Sequence, residues 1–201
     1  MTIEEIRTAA QHLASQITDC MKRVREFNPD VSSFYVASLV VADDFDYLAL
    51  YANTKTHFEQ SSGDMVSKWG FAEWWSEGLD MNSDPLAQNI GVVDDFDEEP
   101  QNDKGPAWLA TMTEALWLAN NEDAFVQDDD PPVLFCSMID STNAKWLEHL
   151  SANYLNPSDS YRLIESELTT AQNKWYGKGK SGNPEFKNAY VNILEQLPDA
   201  R

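Results

Sequence analysis

The chain has 201 residues, of which 42% are hydrophobic and seven are Trp, and it carries 14 basic against 34 acidic side chains for a net charge of −20. That length and aromatic content suit one folded core and exclude a disordered acidic tail. A charge of this size and sign repels nucleic acid and anionic membrane, and it attracts basic partners over about 10 Å in physiological salt.

Ile3, Ile6, Ala10, Leu13, Ile17, Met21, Val24 and Phe27 recur every three or four residues, which predicts a long amphipathic helix. Thr2 with Glu5 three residues on is a capping-box pattern, and Asn28-Pro29-Asp30 is the expected stop. Phe34 to Val41 and Tyr47 to Ala52 are rich in β-branched and aromatic residues. They predict an antiparallel hairpin closed by the turn Asp43-Asp44-Phe45-Asp46. A short helix is expected from Thr56 to about Lys68. Lys68 to Gly78 then packs Trp69, Phe71, Trp74 and Trp75 into eleven residues, which suits either a core corner or an interface. Trp74 and Trp75 are adjacent and cannot both face one core in regular structure.

Asp80 to Lys104 reads as a long polar loop with the acid run Asp94-Asp95-Phe96-Asp97-Glu98-Glu99 and one short strand or turn at Ile90 to Val93. Trp108, Leu109, Met112, Ala115, Leu116 and Ala119 return to helical spacing, entered through Pro106. Asp128-Asp129-Asp130-Pro131-Pro132 is an acidic turn. Val133 to Ile139 is short and nearly all apolar, the pattern of a central strand buried on both faces. Helices are expected around Trp146 to Leu150, from Ser158 to Trp175, and from Phe186 to Leu197, with a basic loop at Gly177 to Gly182. The order predicts a single α+β domain over 1–201: a small, mostly antiparallel sheet packed with several helices, a long N-terminal helix and a helical C-terminal region.

The charge is uneven. Glu26 to Asp159 holds 26 acids and four bases, whereas the two ends together hold eight acids and ten bases. Tests for chemistry come out empty. Asp94 to Glu99 lacks the spacing and the glycine of a calcium loop. His12, His57, His149, Cys20 and Cys136 show no zinc spacing. Gly177-Lys178-Gly179-Lys180-Ser181-Gly182 has Lys174 where a phosphate-binding loop needs its first glycine, and a helix precedes it. Cys20 and Cys136 sit in apolar settings and read as packing thiols. With two cysteines and no apolar leader after Met1, a reducing, cytoplasmic setting is expected, with no cofactor and no metal.

Phe34-Tyr35-Val36-Ala37-Ser38-Leu39, then Tyr51-Ala52-Asn53-Thr54, then Lys68-Trp69-Gly70-Phe71-Ala72-Glu73-Trp74 resembles the bacterial domain-of-unknown-function family 4303. Glu122-Asp123-Ala124-Phe125 and the strand ending at Ile139-Asp140 are similar to later blocks of that family, so the likeness spans a core of 1–155, with 156–201 as a helical extension. The Asp94 to Glu99 run and the basic loop depart from it. The resemblance implies a cytoplasmic immunity protein of a polymorphic or contact-delivered toxin system, one that binds and neutralises a cognate toxin, and it implies no catalytic residue.

The residues expected to meet such a partner are Asp43, Asp44, Asp46, Asp94, Asp95, Asp97, Glu98, Glu99, Asp128, Asp129 and Asp130, with Phe45, Phe96, Trp74 and Trp75 as aromatic anchors. A nucleic-acid mimic would use the same acids in a regular phosphate-like array. An enzyme of unrecognised type would need convergent polar groups in a pocket. Solubility alone is the bland alternative for the acidity.

Overall fold

A computed structural model describes residues 1–27, 34–43, 45, 48–60, 68–69, 104–125, 131–139, 141–177 and 182–197. In chain order these form helix α1 (Ile3–Phe27), strands β1 (Phe34–Ala42) and β2 (Leu48–Thr54), and the short helix α2 (Lys55–Gln60). Helix α3 (Gly105–Asn121), strand β3 (Val133–Ile139), and helices α4 (Ala144–Leu155), α5 (Ser158–Trp175) and α6 (Pro184–Leu194) follow. The α+β class is as expected. The predicted stop of α1, the rest of the Thr56–Lys68 segment beyond Gln60 apart from Lys68 itself, the Ile90–Val93 element and most of the Asp80–Lys104 loop lie outside the described residues.

The sheet differs from the expectation in two respects. It has the order β2-β1-β3, with β1 antiparallel to β2 but parallel to β3, so it is mixed rather than mostly antiparallel. The centre is β1, and β3 lies beside it at the end of the strand order. A strand buried on both faces reads as apolar wherever it sits in the sheet, so composition could not separate the two positions. Outward backbone groups of Leu134 and Cys136 in β3 are met by side chains of the helix that follows and of its C-cap. The Asn156 carboxamide accepts from Leu134 N at 2.9 Å and donates to Leu134 O at 2.7 Å. Ser151 Oγ accepts from Cys136 N at 2.8 Å. These contacts stand in for a neighbouring strand and cover the edge.

Alternation along the strands sorts the residues to two faces. Leu50, Leu39 and Cys136 form one row, flanked by Ala52, Ala37 and Leu134 and by Leu48, Val41 and Met138. This face packs with α1, α3 and α6 in the larger core. α1 contributes Ile6, Ala10, Leu13, Ile17, Met21 and Val24, the stripe read from the sequence. Its capping box is made: Glu5 N donates to Thr2 Oγ1 at 3.2 Å and Thr2 N donates to Glu5 Oε2 at 2.6 Å. α3 is buried along nearly its whole length because α1, α6 and the sheet all pack on it. Tyr190 of α6 reaches this core fully buried, so residues beyond 155 share it.

The second face carries Val36, Ser38, Val40, Phe135 and Ser137, and α5 covers it with Leu168 and Ala171. Trp69 is buried in the same cluster.

The edge contacts set a stability test. Asn156→Ala leaves the Leu134 N–H and C=O without their partner and is expected to lower the unfolding free energy by about 1 to 3 kcal/mol. Urea denaturation reads this, and a loss below about 0.5 kcal/mol would show that the edge does not depend on Asn156.

Candidate partner-docking site

Asp43 follows β1 and is exposed. Phe45, expected beside it as a surface anchor, is 5% exposed and belongs to the core. Its N–H closes the turn onto Ala42 O at 3.0 Å, and its backbone adopts φ 64. A Cβ at Gly105 would sit 3.1 Å from the Phe45 ring and 2.7 Å from that of Phe186, so the start of α3 fits there only as glycine. Phe45 thus pins the acidic turn and presents no ring to a partner, which corrects the anchor reading. Asp44, Asp46, Trp74, Trp75, Asp94, Asp95, Phe96, Asp97, Glu98, Glu99, Asp128, Asp129 and Asp130 lie outside the described residues.

The charge nonetheless divides cleanly. The described residues hold 15 acids and 11 bases, a balance of −4, while the remaining stretches hold 19 acids and three bases, a balance of −16. Residues 70–103 alone contain ten acids and no base. In sequence the acid runs lie next to buried residues. The first is flanked by Phe45. The 70–103 stretch lies in sequence between Trp69, 1% exposed, and Lys104, which precedes buried Gly105. The third lies in sequence between Phe125, 1% exposed, and Pro131-Pro132, of which Pro132 is buried.

Lys68 and Trp69 are held by several bonds. Lys68 Nζ lies 2.6 Å from Glu167 Oε2 and 5.2 Å from the Trp69 ring centroid. Trp69 Nε1 donates to the same Glu167 oxygen at 3.3 Å. Tyr35 OH donates to Lys68 O at 2.9 Å and accepts from Asn53 Nδ2 at 3.0 Å. Tyr35, Asn53, Lys68 and Trp69, which come from three separate blocks of the resemblance, therefore meet at one end of the sheet. Of the aromatic cluster, Trp69 is core. The Lys68–Glu167 pair is about one-third exposed on each side, so it orients the segment more than it stabilises it.

A second polar cluster lies under the same face. Glu148, 1% exposed, receives Ser137 Oγ at 2.5 Å and Tyr176 OH at 2.8 Å on Oε1, and Gln172 Nε2 at 2.7 Å on Oε2. Burial pushes its pKa up from 4.5, against the pull of the three donors. Next to it, His149 bridges the hydroxyls of Tyr161 at 3.1 Å and Thr169 at 3.3 Å, and burial lowers its pKa. Lys145 Nζ donates to Asn173 Oδ1 at 2.8 Å and Gly177 O at 3.2 Å.

Glu148 and Glu167 escaped the sequence reading, although Glu148 had a signal. Ala144, Glu148, Ser151 and Leu155 are spaced four, three and four apart, so a carboxylate stands on the buried stripe of α4. Glu167 precedes buried Leu168 and shows no signal of its own.

The cysteines are buried, Cys20 at 3% and Cys136 at 0% exposure. Cys136 Sγ lies 3.5 Å from Thr113 Oγ1, which in turn lies 2.8 Å from Tyr190 OH, and burial pushes the thiol up to about 12. Such a thiol is a poor nucleophile. Among the described residues no group of three His, Cys, Asp or Glu side chains gathers to hold a metal ion, and no helix is long and apolar enough to cross a membrane.

Two measurements check these assignments. Trp69→Ala is expected to cost about 3 to 5 kcal/mol of unfolding free energy, as a large core deletion does. A cost under about 1 kcal/mol would mean the ring is not core. Both thiols are expected to resist a disulfide reagent in the native protein and to react on unfolding; rapid native labelling of either would contradict the burial.

Comparison of this chain with protein-family models, with curated proteins and with solved structures finds no significant match.

Proposed function

We propose that this protein is an immunity protein that neutralises a cognate bacterial toxin by binding it through acidic connections carried on a nearly neutral frame. One observation carries the reading: 16 of the 20 net negative charges lie outside the described elements, and the acid runs lie in sequence beside buried Phe45, Trp69 and Phe125. Acidity that served solubility alone would have no reason to be nearly cancelled on α1, α5 and α6, which together hold eight acids and seven bases. Concentrated on a few connections, it forms a field that speeds encounter with a basic surface and rejects acidic ones. The resemblance in the Tyr35, Asn53 and Lys68-Trp69 blocks supports the same reading. It implies a cytoplasmic protein whose partner is a toxin, and the binding of that toxin needs no cofactor.

The test takes the product of the neighbouring gene as the candidate toxin. Co-expression is expected to restore growth to cells that make the toxin. Reversing the five acids between Asp94 and Glu99 to lysine is expected to lower the association rate at low salt by about tenfold or more and to flatten its salt dependence. Unchanged association kinetics would remove the acid run from the interface. Capture of several unrelated DNA-binding proteins, with no single partner, would favour the nucleic-acid mimic.

A further inference from the structure

α5 is held against the rest of the molecule at a buried carboxyl. Glu148 of α4 joins three elements through neutral partners: Ser137 from β3, Gln172 from α5 and Tyr176 from the end of α5. Gln172 Nε2 also donates to Lys145 O at 3.1 Å. On either side of α5 the chain can turn. Asn156-Pro157 joins it to α4, and Gly177, at φ +76 with open space around a would-be Cβ, follows it. Two of the three bonds to the carboxyl, those from Gln172 and Tyr176, would break if α5 moved away, and water would then reach the carboxyl.

We propose that Glu148 is a proton-operated latch: as the neutral acid it fixes α5 against β3 and α4, and loss of its proton to solvent loosens α5. A hydroxyl can donate or accept, so Ser137 and Tyr176 accommodate the acid proton on Oε1. Among the described residues an ionised Glu148 has neutral donors but no cation in contact, and a buried charge so placed is costly. Among the described residues the charged and titratable groups facing this seam are Lys145 and His149 on α4, Tyr161 and Glu165 on α5, and Tyr176 just beyond it. Lys145 is engaged with Asn173 and Gly177 O rather than with the carboxylate. His149 is turned toward Tyr161 and Thr169.

The signs of the two neighbours are opposite. Glu148 has its pKa raised above 4.5, so its stabilisation is full below that value, is withdrawn above it, and is gone once the pH passes the folded value. His149 has its pKa lowered below 6.5, so its contribution is lost as the pH falls. Loosening at high pH therefore belongs to Glu148 and loosening at low pH to His149.

Amide hydrogen exchange over α5, corrected for intrinsic rates, reads the latch on the intact chain. Wild-type α5 is expected to lose about tenfold or more in protection between pH 5 and pH 8, and Glu148→Gln, neutral throughout, is expected to remove that loss. His149→Gln is expected to leave it in place. Equal loss in Glu148→Gln, no loss in wild type, or its disappearance in His149→Gln would each overturn the proposal. Should Glu148→Gln not fold, Tyr176→Phe removes one donor to the carboxylate and is expected to raise the Glu148 carboxyl midpoint followed by NMR. An unmoved midpoint, or a wild-type midpoint near 4.5, would overturn it.

Discussion

The parallel pairing of β1 with β3 is the constraint on which the rest depends. Parallel neighbours cannot be joined by a tight turn, so the chain between them must make a long excursion, here everything from β2 through α3 to Pro132. Parallel strands are also covered on both faces. α1, α3 and α6 take one face, and α5 takes the other with Trp69. The small sheet is thereby covered on both faces.

Enclosure has a second consequence. Ser38, Ser137 and Asn53 are buried on the α5 face, where water does not satisfy them. Their neighbourhood recruits partners: Asn53 with Tyr35 at one end, and Ser137 with Glu148, Gln172 and Tyr176 at the other. α5 serves both ends, because Glu167 holds Lys68 and Trp69 while Gln172 holds Glu148. Buried networks of this kind fix one arrangement of elements when every member is satisfied. The same helix thus closes the sheet and anchors the root of the most acidic stretch.

Much of this was legible beforehand, and the failures have physical causes. The stripe of α1, its capping box, the β1–β2 hairpin and the apolar β3 follow from periodicity and composition. The mixed sheet did not, because an apolar strand carries no mark of its neighbours, and the contacts along its β3 side come from Ser151 on a helix and Asn156 at that helix's C-cap. Phe45 misled because an aromatic among aspartates reads as exposed, whereas its positive φ turns the ring inward against Gly105 and Phe186. Glu148 stood on a buried helical stripe but was counted with the other acids. Of the predicted docking residues that are described, Asp43 is exposed and Phe45 is buried.

The central claim separates the frame from its charge, and one variant tests both halves. Replacing Asp94, Asp95, Asp97, Glu98 and Glu99 with Asn and Gln, then measuring urea unfolding and toxin binding on the same preparation, gives two numbers. The account predicts an unfolding free energy within about 0.5 kcal/mol of wild type, as for surface substitutions away from packed features, and a clearly weaker, less salt-dependent complex. A destabilised fold with unchanged binding would contradict it.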